Sequence, residues 1–164
     1  MQGDKIINIG CGSKTMEGAT NIDIYEGDGI DLVCDVRNGL PLEDESIDEA
    51  NADYFLEQII DNEKFLFVMN EIWRVLKPGG FFKFKVPNAK YEVAFKDPFD
   101  SRYFTKETFD YFNYGTRRYD YYKGYGFKPW LVASVEEIAG PNDPTKDRFS
   151  VVMIKYKEHE NCIV

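Results

Sequence analysis

The sequence is poor in cysteine, in histidine and in long apolar runs. Its three cysteines form no even set and show no C-x-x-C spacing, so a disulfide scaffold and a zinc cluster are both disfavoured. The single histidine, His159, stands in a charged tail that we expect to be solvated. No segment is apolar for long enough to cross a membrane, and the N-terminus lacks the pattern of a signal peptide. We therefore expect a cytoplasmic protein that binds neither a metal nor a membrane.

Basic charge is also scarce. Twenty lysines and arginines face 29 acidic residues, which leaves a net charge of -9. Such a chain repels a phosphate backbone unless its basic residues gather on one face. Nucleic acid is therefore a disfavoured partner.

What the sequence does contain is enough apolar material for one domain. In 164 residues, 43% are hydrophobic, and glycine and proline follow no repeating period. Low-complexity, fibrous and largely disordered classes are thereby excluded. We expect a single domain over residues 1–158, followed by a short tail at 159–164.

Short apolar segments bounded by turn formers predict seven strands. They lie at residues 5–9, 20–24, 30–34, 47–52, 80–86, 130–136 and 148–156. A helix is predicted over residues 62–77, because Phe65, Val68, Met69 and Ile72 recur at helical spacing before Pro78-Gly79-Gly80 ends it. Strands that alternate with a long helical segment indicate an α/β fold.

One face of the predicted sheet has few helices to cover it. Fewer than a dozen residues join the first two strands, and five join the second to the third, whereas a crossover helix needs about a dozen. In the fifth strand Lys83 and Lys85 alternate with apolar residues, which is typical of a half-exposed strand. We expect a polar, wet face and a pairing of Lys83 with Glu49. The oligomeric state stays open, with a monomer favoured.

The segment from residue 91 to 128 is dense in aromatic residues. It lies between the fifth and sixth strands, and a helix is predicted within it at residues 106–113, capped by Thr105. Its tyrosines could stack on a flat or sugar-like molecule, although half or more of these rings are expected in the core. Arg117 and Arg118 could meet an anion or lie in a solvated turn. We interpret the segment as an insertion that binds substrate and covers the site.

The first strand runs into Gly10-Cys11-Gly12, where backbone without Cβ atoms can approach a ligand. The next two strands each end in an acid, Asp23 and Asp35. A carboxylate after the second strand can accept both hydroxyls of a ribose, and one after the third can accept from an adenine amino group. The pattern predicts a nucleoside site. The alternatives are a plain tight turn and acids that merely solvate strand ends.

From residue 5 to 115 the sequence resembles the class I S-adenosylmethionine-dependent methyltransferases, in particular their short bacterial and phage-like type. The matching pieces are IGCGSK at 9–14, NIDI at 21–24, LPLEDESID at 40–48, EIWRVLKPGG at 71–80 and VPN at 86–88. The resemblance implies a Rossmann-like, mostly parallel seven-stranded sheet with an antiparallel last strand. It also implies a bound S-adenosylmethionine. The residues it places against this cofactor are Asn8, Gly10, Cys11, Gly12, Asp23, Ile24, Asp35, Val36 and Asp53.

Within that resemblance, Gly10 and Gly12 would pass the methionine part of the cofactor. Asp23 would hold the ribose, and Asp35 with the Val36 amide would read the adenine. Several positions depart from the family. Asn8 replaces an acid, Lys14 a third glycine and Gln58 a histidine, and the N-terminal helices that usually close over the cofactor have no counterpart in the sequence.

The acceptor is expected to be a small molecule or a glycan, because the motifs for methylating DNA bases are missing. In-line methyl transfer needs alignment first, and a general base only for hydroxyl-like acceptors. The candidates for such a base are Asp53, Tyr54 and Glu57, with Tyr103 more distant, although packing or capping would explain each of them equally well. Two other functions stay open. The chain could be a catalytically degenerate cofactor-binding fold, or a protein-interaction module that keeps only the sheet.

Overall fold

All seven predicted strands are present, with shifted ends. The computed structural model describes residues 3–140 and 143–157. The strands are β1 Ile6–Ile9, β2 Ala19–Asp23, β3 Leu32–Val33, β4 Ile47–Asp53, β5 Leu76–Pro87, β6 Trp130–Gly140 and β7 Asp143–Lys155. The helices are α1 Asn62–Val75 and α2 Arg117–Tyr122, and the 3-10 turns are Val36–Asn38, Leu56–Gln58, Glu92–Phe95, Lys106–Tyr111 and Lys123–Tyr125. His159 and Cys162 lie outside the described residues.

The strands form one sheet in the order β3-β2-β1-β4-β5-β7-β6. The pairs among β1 to β5 are parallel, and β7 is antiparallel to both of its neighbours, β5 and β6. The predicted mostly parallel sheet with an antiparallel last strand is thus confirmed. The carboxyl ends of β1 to β4 meet at one edge, where open α/β sheets bind ligands.

Helix α1 packs its apolar stripe on the sheet, as its periodicity predicted. Phe65, Val68, Met69 and Ile72 are all buried, and the Asp61 carboxylate caps the helix by accepting the Lys64 amide at 2.8 Å. The predicted end at residue 77 was wrong, because the helix ends at Val75 and the chain is extended from residue 76 onward. A proline at 78 disfavours helical backbone at the residue before it, which accounts for the early end.

The aromatic segment packs on the same face as α1. Phe104 stacks on Phe109 at a ring distance of 6.0 Å, and Phe109 meets Phe84 of β5 at 5.9 Å. The predicted helix at residues 106–113 is a 3-10 turn over Lys106–Tyr111, with the expected capping box at Thr105. Phe104, Phe109, Phe112 and Tyr119 are buried. Much of the segment is therefore core, as expected, and cannot move as one loose cover.

The opposite face of the sheet carries no helix in the described part of the chain, because both short crossovers are loops. Its centre is polar. The Lys83 ammonium pairs with Glu49 at 2.6 Å, as predicted, and Lys85 pairs with Asp53 at 2.5 Å. Beside them, the Asn8 amide donates to Asn21 at 3.0 Å. No helix among the described residues is long and apolar enough to span a membrane.

Amine labelling of the folded protein is expected to modify Lys83 and Lys85 readily. Their side chains are 44% and 39% exposed, whereas the side chain of Lys155 is 1% exposed. Lys155 is the internal control and should react only after unfolding. The measurement is peptide mass spectrometry over a time course. Protection of Lys83 and Lys85 equal to that of Lys155 would contradict a wet face.

Candidate functional site

The loop after β1 has a backbone that favours glycine at two positions. Gly10 has φ +62° and Gly12 has φ +51°, both in the left-handed region. A Cβ at Gly10 would lie 2.4 Å from the Phe55 ring, so the loop passes very close to that side chain. A Cβ at Gly12 would meet nothing within 4 Å. The loop is therefore fixed by packing at Gly10 and open toward solvent at Gly12.

Asp23, the last residue of β2, is tied to this loop. Its Oδ2 accepts the Gly12 amide at 2.8 Å, and its Oδ1 accepts the Tyr25 amide at 3.1 Å. Each carboxylate oxygen has a second lone-pair site, so both oxygens can still accept from a ligand hydroxyl. Asp23 can therefore hold the loop and a diol at the same time.

The carboxylate of Asp35, which follows β3, accepts more side-chain hydrogen bonds than that of Asp23. The Arg37 guanidinium contacts both carboxylate oxygens, at 2.8 and 3.0 Å, and the Asn38 amide adds a bond at 3.2 Å. The Arg37 side chain holds the pKa of Asp35 below its usual range. A ligand amino group at Asp35 would compete with Arg37 for these oxygens. A backbone donor stays available nearby, since Val36 borders the same space.

These elements enclose a cleft of about 520 Å³, called here the Asp23 cleft. It brings together seven of the predicted residues, which are Gly10, Gly12, Asp23, Ile24, Asp35, Val36 and the catalytic candidate Tyr54. Sequence reasoning missed the rest of its lining, which is Tyr25, Cys34, Arg37, Phe55, Gln58, Ile59 and Phe99. Arg37 could have been found, because a cation two residues after an acid can pair with it. No local sequence pattern marked Phe99 as a residue of this cleft.

The other predicted residues line a second cleft of about 340 Å³, the Asp53 cleft. It contains Asn8, Cys11 and Asp53 together with Lys14 and Lys85. The predicted cofactor-binding residues are thus divided between two clefts. Asn8 is 5% exposed, and its amide nitrogen is already used by Asn21 and by the Lys14 carbonyl. Only its oxygen is available to a ligand.

Tyr54 stands directly after β4 in a strained conformation. Its φ of 57° lies in the left-handed region, which a bulky residue rarely adopts. The Lys14 ammonium lies 4.9 Å from the centre of its ring, and the Arg148 guanidinium lies 5.8 Å away. Burial raises the pKa of the Tyr54 hydroxyl, which makes it a poor base at neutral pH. Tyr54 lines the Asp23 cleft, where it can pack against a ligand.

Glu57, the third catalytic candidate, lines neither of these clefts. The 3-10 turn Leu56–Gln58 directs it inward, where it is 2% exposed and its Oε2 has no hydrogen-bond partner among the described residues. Burial raises its pKa to about 8, and the nearby Asp100 and Asp97 add to the increase. Glu57 therefore does not line the space in which the other predicted residues meet, and its role as a base stays a prediction.

Comparison with known proteins identifies this arrangement. A family model described as a methyltransferase domain matches residues 13–84. A SAM-dependent methyltransferase from Methanosarcina mazei superposes with a TM-score of 0.67 at 17% identity, covering 96% of this chain and 95% of that one. The chain has the class I S-adenosylmethionine-dependent methyltransferase fold. The resemblance drawn from the sequence is confirmed.

Other solved structures share this methyltransferase fold. One is 1,6-didemethyltoxoflavin-N1-methyltransferase from Burkholderia thailandensis, with bound 1,6-didemethyltoxoflavin and S-adenosylhomocysteine, at TM-score 0.65 and 12% identity, covering 95% of this chain and 72% of that one. Another is the [4+2]-cyclase SpnF, at TM-score 0.58 and 15% identity, covering 94% and 75%. No curated protein sequence matches significantly. The methyltransferase fold thus hosts more than one chemistry, and the site must decide the function.

Proposed function

We propose that the chain binds S-adenosylmethionine and transfers its methyl group to a small-molecule or glycan-type acceptor by in-line displacement. The observation that carries the proposal is the bond from the Gly12 amide to Asp23. It joins a glycine loop, which a ligand can approach closely, to a carboxylate with free acceptor sites at the same sheet edge. The S-adenosylhomocysteine bound to a fold neighbour supports the same ligand class.

The residues of the Asp23 cleft suit an adenosine. Asp23 would accept from the two ribose hydroxyls, and apolar side chains such as Ile24, Val36 and Ile59 would flank the base. The Val36 amide, rather than the engaged Asp35 carboxylate, would supply the main polar contact to the adenine. The open space at Gly12 leaves room for a ligand to cross the loop.

The Asp53 cleft suits the amino-acid end of the same molecule. Asp53 carries a carboxylate that could pair with an ammonium, and the Lys14 ammonium could pair with a carboxylate. Asn8 would add an acceptor oxygen. The two ends of an amino acid would thereby meet charges of opposite sign, which fixes its orientation.

The main task left to the protein is to align the acceptor atom with the methyl group of the cofactor. When bound, S-adenosylmethionine supplies a methyl group activated by its sulfonium centre. Holding two reactants in line is worth about 7 to 11 kcal/mol of the barrier. Glu57 does not reach the clefts, and Asp53 is held by Lys85, so we assign no obligatory general base. Asp53 is the group best placed to take a proton where the acceptor must lose one.

A cofactor-binding fold without turnover is the second candidate. It is favoured by the pairing of Asp35 with Arg37 and of Asp53 with Lys85, which occupies both carboxylates. A methyl-transfer screen with labelled S-adenosylmethionine and small-molecule extract distinguishes the two. Transfer of label to an extract component supports the enzyme. Binding without transfer supports the second candidate.

Replacing Asp23 by alanine is expected to weaken S-adenosylhomocysteine binding at least tenfold. Charge-assisted bonds to two ribose hydroxyls are worth about 1.5 to 3 kcal/mol. The measurement is calorimetric titration, with circular dichroism to verify the fold, since Asp23 also holds the Gly12 amide. Asp28→Ala removes the same charge from an exposed site of the adjoining loop and should leave the affinity unchanged.

An Asp23→Asn variant separates the two roles of the residue. Asparagine keeps one acceptor oxygen for the loop, so this variant should fold like the parent protein while still losing affinity. Wild-type affinity in both Asp23 variants would place the ribose elsewhere and would overturn the proposed binding mode.

A further inference from the structure

A third cleft, of about 460 Å³, lies between the start of α1 and the aromatic segment. We call it the aromatic cleft, because most of its wall is made of rings. They include Phe65, Tyr111, Phe112, Tyr125 and Phe127. Neighbouring rings hold one another in place, for instance Phe112 and Phe127 at 4.8 Å. This volume and lining are typical of a site for a small organic molecule.

One cation, Arg102, lines this apolar cleft. Its guanidinium lies over the Phe65 ring at 4.0 Å, and its Nη2 donates to the Ile59 carbonyl at 3.2 Å and to Asn62 at 3.0 Å. Its Nε is buried and has no hydrogen-bond partner in the part of the chain that the structure describes. Partial burial lowers the pKa of Arg102, yet a guanidinium stays charged at neutral pH.

No carboxylate pairs with Arg102 within 4 Å in the described part of the chain, although Glu63 lines the same cleft and Asp61 lies near enough to stabilise the charge. Arg37, Arg74, Arg118 and Arg148 each pair with a carboxylate within 4 Å, but no such pair includes Arg102 within residues 3–140 and 143–157. A half-buried cation beside an apolar cleft, with one N–H unsatisfied, is costly unless an anion completes it.

We propose that the aromatic cleft binds a small aromatic carboxylate, whose charge pairs with the Arg102 guanidinium while its ring packs among the aromatic side chains. The two N–H groups of Arg102 Nη2 already donate to Ile59 and Asn62, so a ligand carboxylate would be held by the charge of the guanidinium and by hydrogen bonds from Nη1. The rings favour a flat apolar body over an aliphatic one, because they offer edge-to-face and stacked contacts. A neutral ligand of the same shape would leave Arg102 unpaired.

This site is separate from the one assigned to the cofactor. The aromatic cleft shares no lining residue with the Asp23 cleft or the Asp53 cleft. The chain between the Leu56–Gln58 turn and α1 nevertheless reaches both, since Ile59 lines the Asp23 cleft and its carbonyl accepts from Arg102. The inference goes beyond the proposed function and does not depend on it.

The test uses the whole ¹⁵N-labelled protein and two matched probes, 1-naphthoate and 1-naphthamide, which differ mainly in charge. Titrations are followed by the arginine Nε–H signals in a ¹H–¹⁵N spectrum. The Arg102 signal, assigned by its loss in Arg102→Gln, is expected to shift with naphthoate, at an affinity at least tenfold higher than that for naphthamide. Equal affinities, or shifts confined to other residues, would overturn the proposal.

Two variants and one competitor complete the experiment. Arg102→Gln should weaken naphthoate binding at least tenfold, whereas Lys106→Gln removes a charge from an exposed site of the same segment and should have no effect. Tyr125→Ala, at an exposed ring of the cleft, should also weaken binding, and it keeps the test valid if Arg102→Gln does not fold. Saturating S-adenosylhomocysteine should leave naphthoate bound, and displacement would show that the probe occupies the cofactor site instead.

Discussion

Replacing Glu57 by glutamine is expected to remove a large part of the pH dependence of stability between about pH 4.5 and pH 8. Burial raises the pKa of this carboxyl to about 8, well above its ordinary value of 4.5. In that range the unfolded chain releases a proton that the native protein keeps. The free energy of unfolding therefore falls as the pH rises through this window, by about 1.4 kcal/mol per pH unit.

The sign of this effect follows from the raised pKa. Below about pH 4.5 both states are protonated, so the stability due to this group is fully present, and it is lost as the pH approaches 8. Over the whole window the loss is about 4 to 5 kcal/mol, on the order of half the stability of a typical domain. Glutamine does not titrate. Between pH 5 and pH 8, Glu57→Gln should therefore lose less of its free energy of unfolding than the parent protein does.

Urea unfolding of both proteins at several pH values measures this difference. The slopes of the free energy of unfolding against pH are compared, because any packing cost of the glutamine is the same at every pH. Glu92→Gln, at an exposed position of the Glu92–Phe95 turn, is the matched control and should follow the parent protein. If Glu57→Gln and Glu92→Gln had the same pH profile, Glu57 could not be a buried neutral acid.

Replacing Gly10 by alanine is expected to destabilise the protein by about 3 kcal/mol, and Gly12→Ala by only about 1 kcal/mol. Both positions have a positive φ, so both variants incur the cost of left-handed backbone. Only at Gly10 would the added Cβ lie 2.4 Å from Cδ2 and 2.8 Å from Cγ of Phe55. The added Cβ would therefore displace the Phe55 ring.

The cause can be isolated by a double-mutant cycle. In a Phe55→Ala background the ring is absent, so Gly10→Ala should cost about as much as Gly12→Ala. Chemical unfolding of the four proteins gives the coupling energy between the two positions. Equal costs for Gly10→Ala and Gly12→Ala in the parent protein would show that the loop relaxes freely and that Phe55 does not restrain it.

The solvent-exposed face of the sheet could be predicted from local sequence pattern. Alternation in β5 and the two short crossovers predicted an exposed face with a Lys83–Glu49 pair, and the structure has that pair at 2.6 Å. Strand register follows from side-chain alternation, because a shift of one residue would put charge into the core. The glycine loop and Asp23 were predictable for a similar reason, since adjacent parallel strands bring their carboxyl ends together.

The same patterns misplaced groups whose surroundings come from elsewhere in the chain. Glu57 was a reasonable candidate by its position after β4, but Ser101 and Arg102 donate to its carbonyl, and Asp97 and Asp100 lie near its carboxyl. Whether an acid is a charged base or a buried neutral group depends on such neighbours. They are more than 35 residues away in sequence, so no local window contains them.

The sequence by itself therefore determined the existence of the seven strands, the apolar face of α1, the glycine loop and the acid that ends β2. Each of these depends on periodicity or on backbone freedom within a few residues. Only the tertiary structure decided which carboxyl is neutral, how the predicted ligand residues divide between two clefts, and that no carboxylate among the described residues lies within 4 Å of Arg102. Burial and pairing are properties of packed surfaces, and packing joins segments that the sequence keeps far apart.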